Sequence, residues 1–259
     1  MDRSRTTEDS SHRVVADERS IDVIVQEPAD DGAGPLPLVV FGHGYGSNGR
    51  AFAGLVRPWV RAGYVVATPT YPATRGGFRP EPALNGYVEQ PRDVSFLLDQ
   101  LLRLDADPGS ELYGRIDEDH IAVGGHSLGA VTTLGLAVNS CCRDERVDAL
   151  IPVAGQLVPF PDGDWDFRSD RPSLVVHGDV DPTYALDRGV FDRMASPKYF
   201  LTLVGADHQF FGRRWDDALR AAVVPFLDAY LKQQPDAVQR LKDSAVPGVT
   251  TLDAVPAAG

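Results

Sequence analysis

The chain has 259 residues, 43% hydrophobic and 24% charged, proportions that suit a globular protein long enough to bury a core. Its 37 acidic residues outnumber 25 basic ones, for a formal net charge of −12. Such a surface repels phosphate backbones and anionic lipid, and no apolar run reaches the ~20 residues of a membrane-spanning helix, so neither nucleic acid nor a bilayer core is an expected partner.

The chain opens on "MDRSRTTEDSSH", a polar stretch without the apolar centre of a signal peptide. Residues 1–20 read as a polar leader, and the chain as cytoplasmic as written, or secreted if a leader has been removed. "IDVIVQE" (21–27) alternates like an edge strand, and "PLVVF" (37–41) reads as a buried one. "RAFAGLVRPWVRAG" has helical spacing and ends at a glycine, which can take the left-handed conformation that closes a helix. "YVVAT" (64–68) is the next strand, and "QPRDVSFLLDQLLRL" sets Val94, Leu97, Leu98, Leu101 and Leu102 on one helical stripe.

The second half repeats the alternation. "HIAVGG" (120–125), "ALIPVA" (149–154), "SLVVHG" (173–178) and "YFLTLVG" (199–205) are strand-like runs. "LGAVTTLGLAV", "YALDRGVFDRM" and "RRWDDALRAAVVPFLDAYLKQ" are helical between and after them. Strand–helix alternation predicts an α/β fold with a mostly parallel sheet covered on both faces. Residues 21–234 therefore read as one domain, and 235–259 as an extension with a short helix and a loosely held end. Cys141 and Cys142 are adjacent, a spacing that suits a bridge poorly, so two part-buried thiols and no disulfide framework are expected.

The chemistry concentrates at "IAVGGHSLGA" (121–130), where Gly125 and Gly129 flank Ser127 at two residues on either side. With 25 glycines in the chain, Gly-x-Ser-x-Gly arises by accident in on the order of one such chain in ten, so the motif alone is weak. Its setting adds weight, because an apolar strand precedes it and a helix follows. A sharp strand-to-helix turn exposes a serine, glycines relieve the crowding, and the helix N-terminus favours an oxyanion. Oxyanion donors are expected from the N–H of Leu128 and, in the strand-end loop "GHGYGS", from the N–H of Tyr45. An acid and then a histidine should follow the serine. "HGDVDPTYA" offers Asp179 and Asp181, and "GADHQFF" offers His208. The histidine would take the serine proton, and the aspartate would orient its ring.

These motifs, spread over residues 37 to 212, resemble the α/β-hydrolase superfamily. The likeness is greatest to its dienelactone-hydrolase-like, chlorophyllase-like, platelet-activating-factor-acetylhydrolase-like and cutinase-type polyester hydrolase branches. The resemblance implies an α/β-hydrolase catalytic domain without a large cap, and a serine esterase with a nucleophile elbow, catalytic triad and oxyanion hole. It places the acid four residues after the histidine of a "HGxxD" turn, at Asp181, with Asp179 the runner-up. It implies no cofactor, and a small-molecule or polymeric ester as substrate. An amide or peptide target, or a non-catalytic binding protein on the same scaffold, are the rival readings.

The loops 68–87 and 155–172 follow strand ends, where ligand sites of open α/β sheets lie. Tyr45, Phe78, Trp165, Tyr184 and Phe210 are the expected pocket walls. Asp162, Asp164 and Asp166 alternate as in calcium loops, but the glycine and distal glutamate of such a loop are missing, so a solvated acidic loop and no metal are expected. The sequence carries no signal for an oligomeric state.

Overall fold

The computed structural model describes residues 7–16, 19–29, 34–76, 84–210 and 213–255. The chain runs through β1 (Thr7–Ala16), β2 (Arg19–Pro28), β3 (Leu36–Gly42), α1 (Ala53–Arg61), β4 (Val65–Thr70) and α2 (Gln90–Ala106). It continues through β5 (Ile116–His126), α3 (Leu128–Val138), β6 (Ala149–Val153), β7 (Ser173–Gly178), α4 (Tyr184–Arg193) and β8 (Lys198–Leu203). It closes with α5 (Arg213–Tyr230), α6 (Ala237–Lys242) and β9 (Thr250–Val255).

The nine strands among the described residues share one sheet in the order β1-β2-β4-β3-β5-β6-β7-β8-β9. Pairing is parallel from β4 through β8 and antiparallel at β1–β2, β2–β4 and β8–β9. The parallel centre explains the unbroken apolar runs, because helices cover both faces. Successive side chains of a strand point to opposite faces. Leu38 and Val40 of β3 thus pack with Leu97 and Leu101 of α2, Leu134 of α3 and Val190 of α4. Val39 and Phe41 pack the other way, with Trp59 of α1 and Phe226 of α5. Among the described residues no helix is long and apolar enough to cross a membrane.

Three expectations are corrected. Residues 21–27 do not form an edge strand: β1, drawn from the stretch read as a leader, pairs with β2 from Thr7↔Pro28 to Ala16↔Arg19 and takes the edge. The C-terminal extension is not loose up to Val255, since β9 pairs with β8 and closes the other edge. Cys141 and Cys142 are joined as a disulfide. The turn after α3 sets them side by side, with Asn139 Oδ1 accepting from the Cys141 N–H at 3.0 Å. A bridge between sequence neighbours closes no long loop, so it restrains little beyond its own turn.

Candidate active site

β5 ends at His126 and α3 begins at Leu128, so Ser127 makes the whole turn between them. Its φ of 57° and ψ of −115° lie where a side chain is strained, at a cost of about 1–3 kcal/mol. The surroundings hold it there. The Ser127 N–H donates to the Val153 carbonyl at 2.9 Å, and the Ser127 carbonyl accepts from the Ala130 N–H at 2.9 Å. A Cβ on Gly125 would meet the Gly129 backbone, and one on Gly129 would strike the Gly42 carbonyl oxygen. Both glycines are therefore required by close approach of backbone.

The β3–α1 loop lies against this turn. A Cβ on Gly44 would come 3.0 Å from the Ser127 Cβ. His43, fully buried, anchors the loop: Nδ1 donates to the Gly44 carbonyl at 2.7 Å, and Nε2 accepts from the Tyr71 N–H at 2.9 Å. Those two bonds need one N–H and one lone pair, the neutral ring. Burial lowers the pKa of His43 to about 4, against a smaller upward pull from its bond to Gly44. Tyr45 stands beside it, 48% exposed. Leu128 opens α3, so its N–H has no carbonyl four residues back to meet.

The acid and the histidine come from the ends of β7 and β8. A Cβ on Gly178 would strike the Ala206 carbonyl, which shows how tightly the two strand-end loops pack. The Val180 N–H donates to that same carbonyl at 3.0 Å. His208 Nε2 lies 3.0 Å from Ser127 Oγ, and its Nδ1 lies 2.6 Å from Asp181 Oδ2. Asp181 is 4% exposed. Its Oδ1 accepts from the Thr183 N–H and hydroxyl, each at 2.8 Å. Burial pushes the Asp181 carboxyl up, but the bonds from Thr183, His208 and His177 outweigh it and hold the group well below the usual carboxylate range. Asp179 is engaged elsewhere, where its Oδ1 accepts from the Gly205 N–H at 2.6 Å and ties the two loops together.

Two further side chains join this set, His177, which opens the "HGxxD" turn, and Asp187, which no motif marks. His177 and Asp187 are both fully buried. His177 Nε2 lies 3.0 Å from Asp181 Oδ2, and its Nδ1 lies 2.7 Å from Asp187 Oδ2. Asp187 Oδ2 also accepts from the Gly155 N–H at 3.2 Å. Burial pushes the His177 ring down, yet the bonds and charges of Asp187 and then Asp181 prevail and raise it above its ordinary value. His126 is a third buried ring, whose Nε2 donates to the His208 carbonyl at 2.9 Å. Burial lowers its pKa to about 4, despite that bond.

Gly44, Tyr45, Ser47, Phe52, His126, Ser127 and His208 line a recess of ≈ 420 Å³. That is the scale of a small-ligand site. Of the expected walls among the described residues, only Tyr45 lines it. Tyr184 packs edge-on to His177 and Phe200, with its hydroxyl 2.9 Å from Thr202 Oγ1. Phe210 is 3% exposed and sits edge-on to His126, behind the recess. Trp165 stacks with Phe167, meets Phe160 edge-on, and borders a separate recess that shares no residue with the first. Phe78 lies outside the described residues. Asp166, of the acidic loop, pairs with Arg168 and Arg143. Among the described residues no group of three or more His, Cys, Asp or Glu could hold a metal ion.

A family model described as "Alpha/beta hydrolase family" matches residues 39–259. No curated protein matches the chain.

Proposed function

The chain belongs to the alpha/beta hydrolase family, and from that premise we propose that it is a serine hydrolase cleaving carboxylic esters through an acyl-enzyme. The observation that carries this reading is the 3.0 Å approach of Ser127 Oγ to His208 Nε2, with Asp181 on the far side of the ring. A serine hydroxyl is a weak nucleophile until a base takes its proton, and general-base help of this kind contributes about 10²–10⁴-fold. Ser127 Oγ attacks the ester carbonyl carbon while His208 Nε2 takes the hydroxyl proton. Asp181 stabilises the resulting imidazolium. The backbone N–H groups of Tyr45 and Leu128 receive the oxyanion, each such donor contributing roughly 3–4 kcal/mol to the barrier reduction.

Collapse of the tetrahedral species breaks the bond to the alcohol, which leaves with the proton from His208. Water then attacks the acyl-enzyme, with His208 again as base, and the acid departs. The cycle uses only side chains, backbone and water. The substrate is a small or polymeric ester whose acyl end enters the recess beneath Tyr45.

The test is covalent labelling. A fluorophosphonate probe should add one adduct to the wild type and none to Ser127→Ala, and a short-chain chromogenic ester should be turned over by the wild type alone. Equal turnover by both proteins would overturn the assignment of Ser127.

A further inference from the structure

Behind the proposed triad the polar chain does not stop. Asp181 Oδ2 faces two rings: it accepts from His208 Nδ1 at 2.6 Å on the solvent side, and His177 Nε2 lies 3.0 Å away on the buried side, also in reach of Thr183 Oγ1 at 3.3 Å. His177 in turn reaches Asp187 Oδ2 at 2.7 Å. The order Ser127, His208, Asp181, His177, Asp187 is thus continuous, with the last three side chains nearly or fully buried. The groups that face His177 are Asp187 from α4, Asp181 and Thr183 from the β7–α4 turn, and the ring of Tyr184; His126 and His208 lie beyond Asp181.

Both nitrogens of His177 point at carboxylate oxygens, and an ionised carboxylate only accepts. Burial pushes the Asp187 carboxyl up while the bond and charge of His177 pull it down, so the proton between Nδ1 and Asp187 Oδ2 belongs to the pair; it is placed on the ring, as the imidazolium, because Asp187 Oδ2 also accepts from the Gly155 N–H. A purely structural aspartate–histidine contact would need only one such acceptor.

We propose that His177, held as an imidazolium by Asp187, is a positioning residue that fixes the Asp181 carboxylate and offsets part of its charge, so setting the pH at which His208 becomes a free base. This inference rests on the triad reading above. The direction follows from the charges. Asp181 favours the protonated form of His208, and a cation on the other side of Asp181 opposes that effect. Removing the cation should let His208 keep its proton to higher pH. A scaffold role alone would lower activity at every pH without moving the limb.

The experiment has two arms. Nitrogen-15 NMR of the histidine rings in the wild type, with the His177 signals identified by their loss in His177→Gln, should show both ring nitrogens protonated at pH 7. A singly protonated His177 overturns the proposal. In folded His177→Gln and Asp187→Asn, the acid limb of kcat/KM for a chromogenic ester should move up by on the order of one pH unit, and the His208 ring signals should move with it. Unmoved limbs and unmoved His208 signals in folded variants overturn it too. If neither variant folds, sequential backbone assignment of the wild type identifies the His177 ring signals, and that spectrum decides alone. A protein that neither hydrolyses esters nor takes the fluorophosphonate probe sinks the triad reading, whereas the NMR arm still judges the His177 pair.

Discussion

Asp181 Oδ2 stands 2.6 Å from His208 Nδ1, whereas Asp179, two residues earlier on the same turn, gives its Oδ1 to the Gly205 N–H. The two acids are equivalent as sequence and differ sharply in place. Asp181→Asn should therefore lower kcat on the order of 10³–10⁴-fold, because the amide no longer stabilises the imidazolium or selects its tautomer. Asp179→Asn should keep kcat within about tenfold, since an amide oxygen can still accept from the Gly205 N–H, and cost roughly 1 kcal/mol of stability. Steady-state kinetics and urea unfolding of both variants check this. A severe loss in Asp179→Asn alone would move the acid.

Much of this was legible beforehand, for a physical reason. The central strands β3 to β8 are buried on both faces over most of their length, β5 from Ile121 onward, so their buried parts appear as largely apolar runs. The edges are not of that kind. "TEDSSHRVVA" and "TTLDAV" are joined to the sheet by main-chain pairing, which leaves no apolar run to find. Ser127 and His208 were readable because a strained turn and a late strand-end histidine leave a local trace. His177 and Asp187 were not, because their meeting depends on α4 folding back over β7, and a histidine in "HG" looks like part of a turn. Pocket walls are hard to read for the same reason: whether Tyr184 faces a ligand or Phe200 is a matter of tertiary packing.

The elbow glycines offer a test of close approach. A methyl at Gly129 meets the Gly42 carbonyl, and backbone cannot step aside as a flexible side chain can. Gly129→Ala should destabilise the protein by about 1–3 kcal/mol and cut activity with it. At Gly44 the new Cβ would meet the Ser127 Cβ at 3.0 Å and the His126 carbonyl at 3.3 Å, a milder crowding that falls on the proposed nucleophile itself. Gly44→Ala should lose roughly tenfold or more in kcat with a smaller loss of stability. A Gly44→Ala protein with undiminished kcat would show that the β3–α1 loop does not constrain Ser127.

Stability should fall as pH drops from 6.5 toward 4. His43 and His126 are held neutral in the fold, with pKa values lowered from 6.5 to about 4 by burial. The unfolded chain takes up protons through this window while the folded one does not, so each ring shifts the balance toward unfolding by at most about 1.4 kcal/mol per pH unit. His177 has the opposite shift, upward, so its contribution is complete below 6.5 and declines only as pH rises past that point. Asp187 and Asp148, whose carboxyls burial pushes up, oppose the decline at its acid end, so the part due to a neutral ring is read from the difference between the wild type and His126→Gln. Urea midpoints measured at pH 7, 6 and 5 should decline, and His126→Gln should flatten the decline. A decline that His126→Gln leaves unchanged would contradict the neutral state of His126.

Tyr184 separates a wall of the site from a strut behind it. Its hydroxyl meets Thr202 Oγ1 at 2.9 Å, and its ring packs on His177 and Phe200 rather than lining the recess at Ser127. Tyr184→Phe keeps the ring and removes only the hydrogen bond, so it should cost about 0.5–1.5 kcal/mol in urea unfolding and leave KM for a panel of acyl chain lengths within about twofold. Tyr184→Ala removes the packing on His177 as well, and should lower kcat while KM changes little, because the loss reaches the substrate only through Asp181 and His208. An acyl-length preference altered by Tyr184→Phe would instead put the tyrosine hydroxyl in contact with substrate.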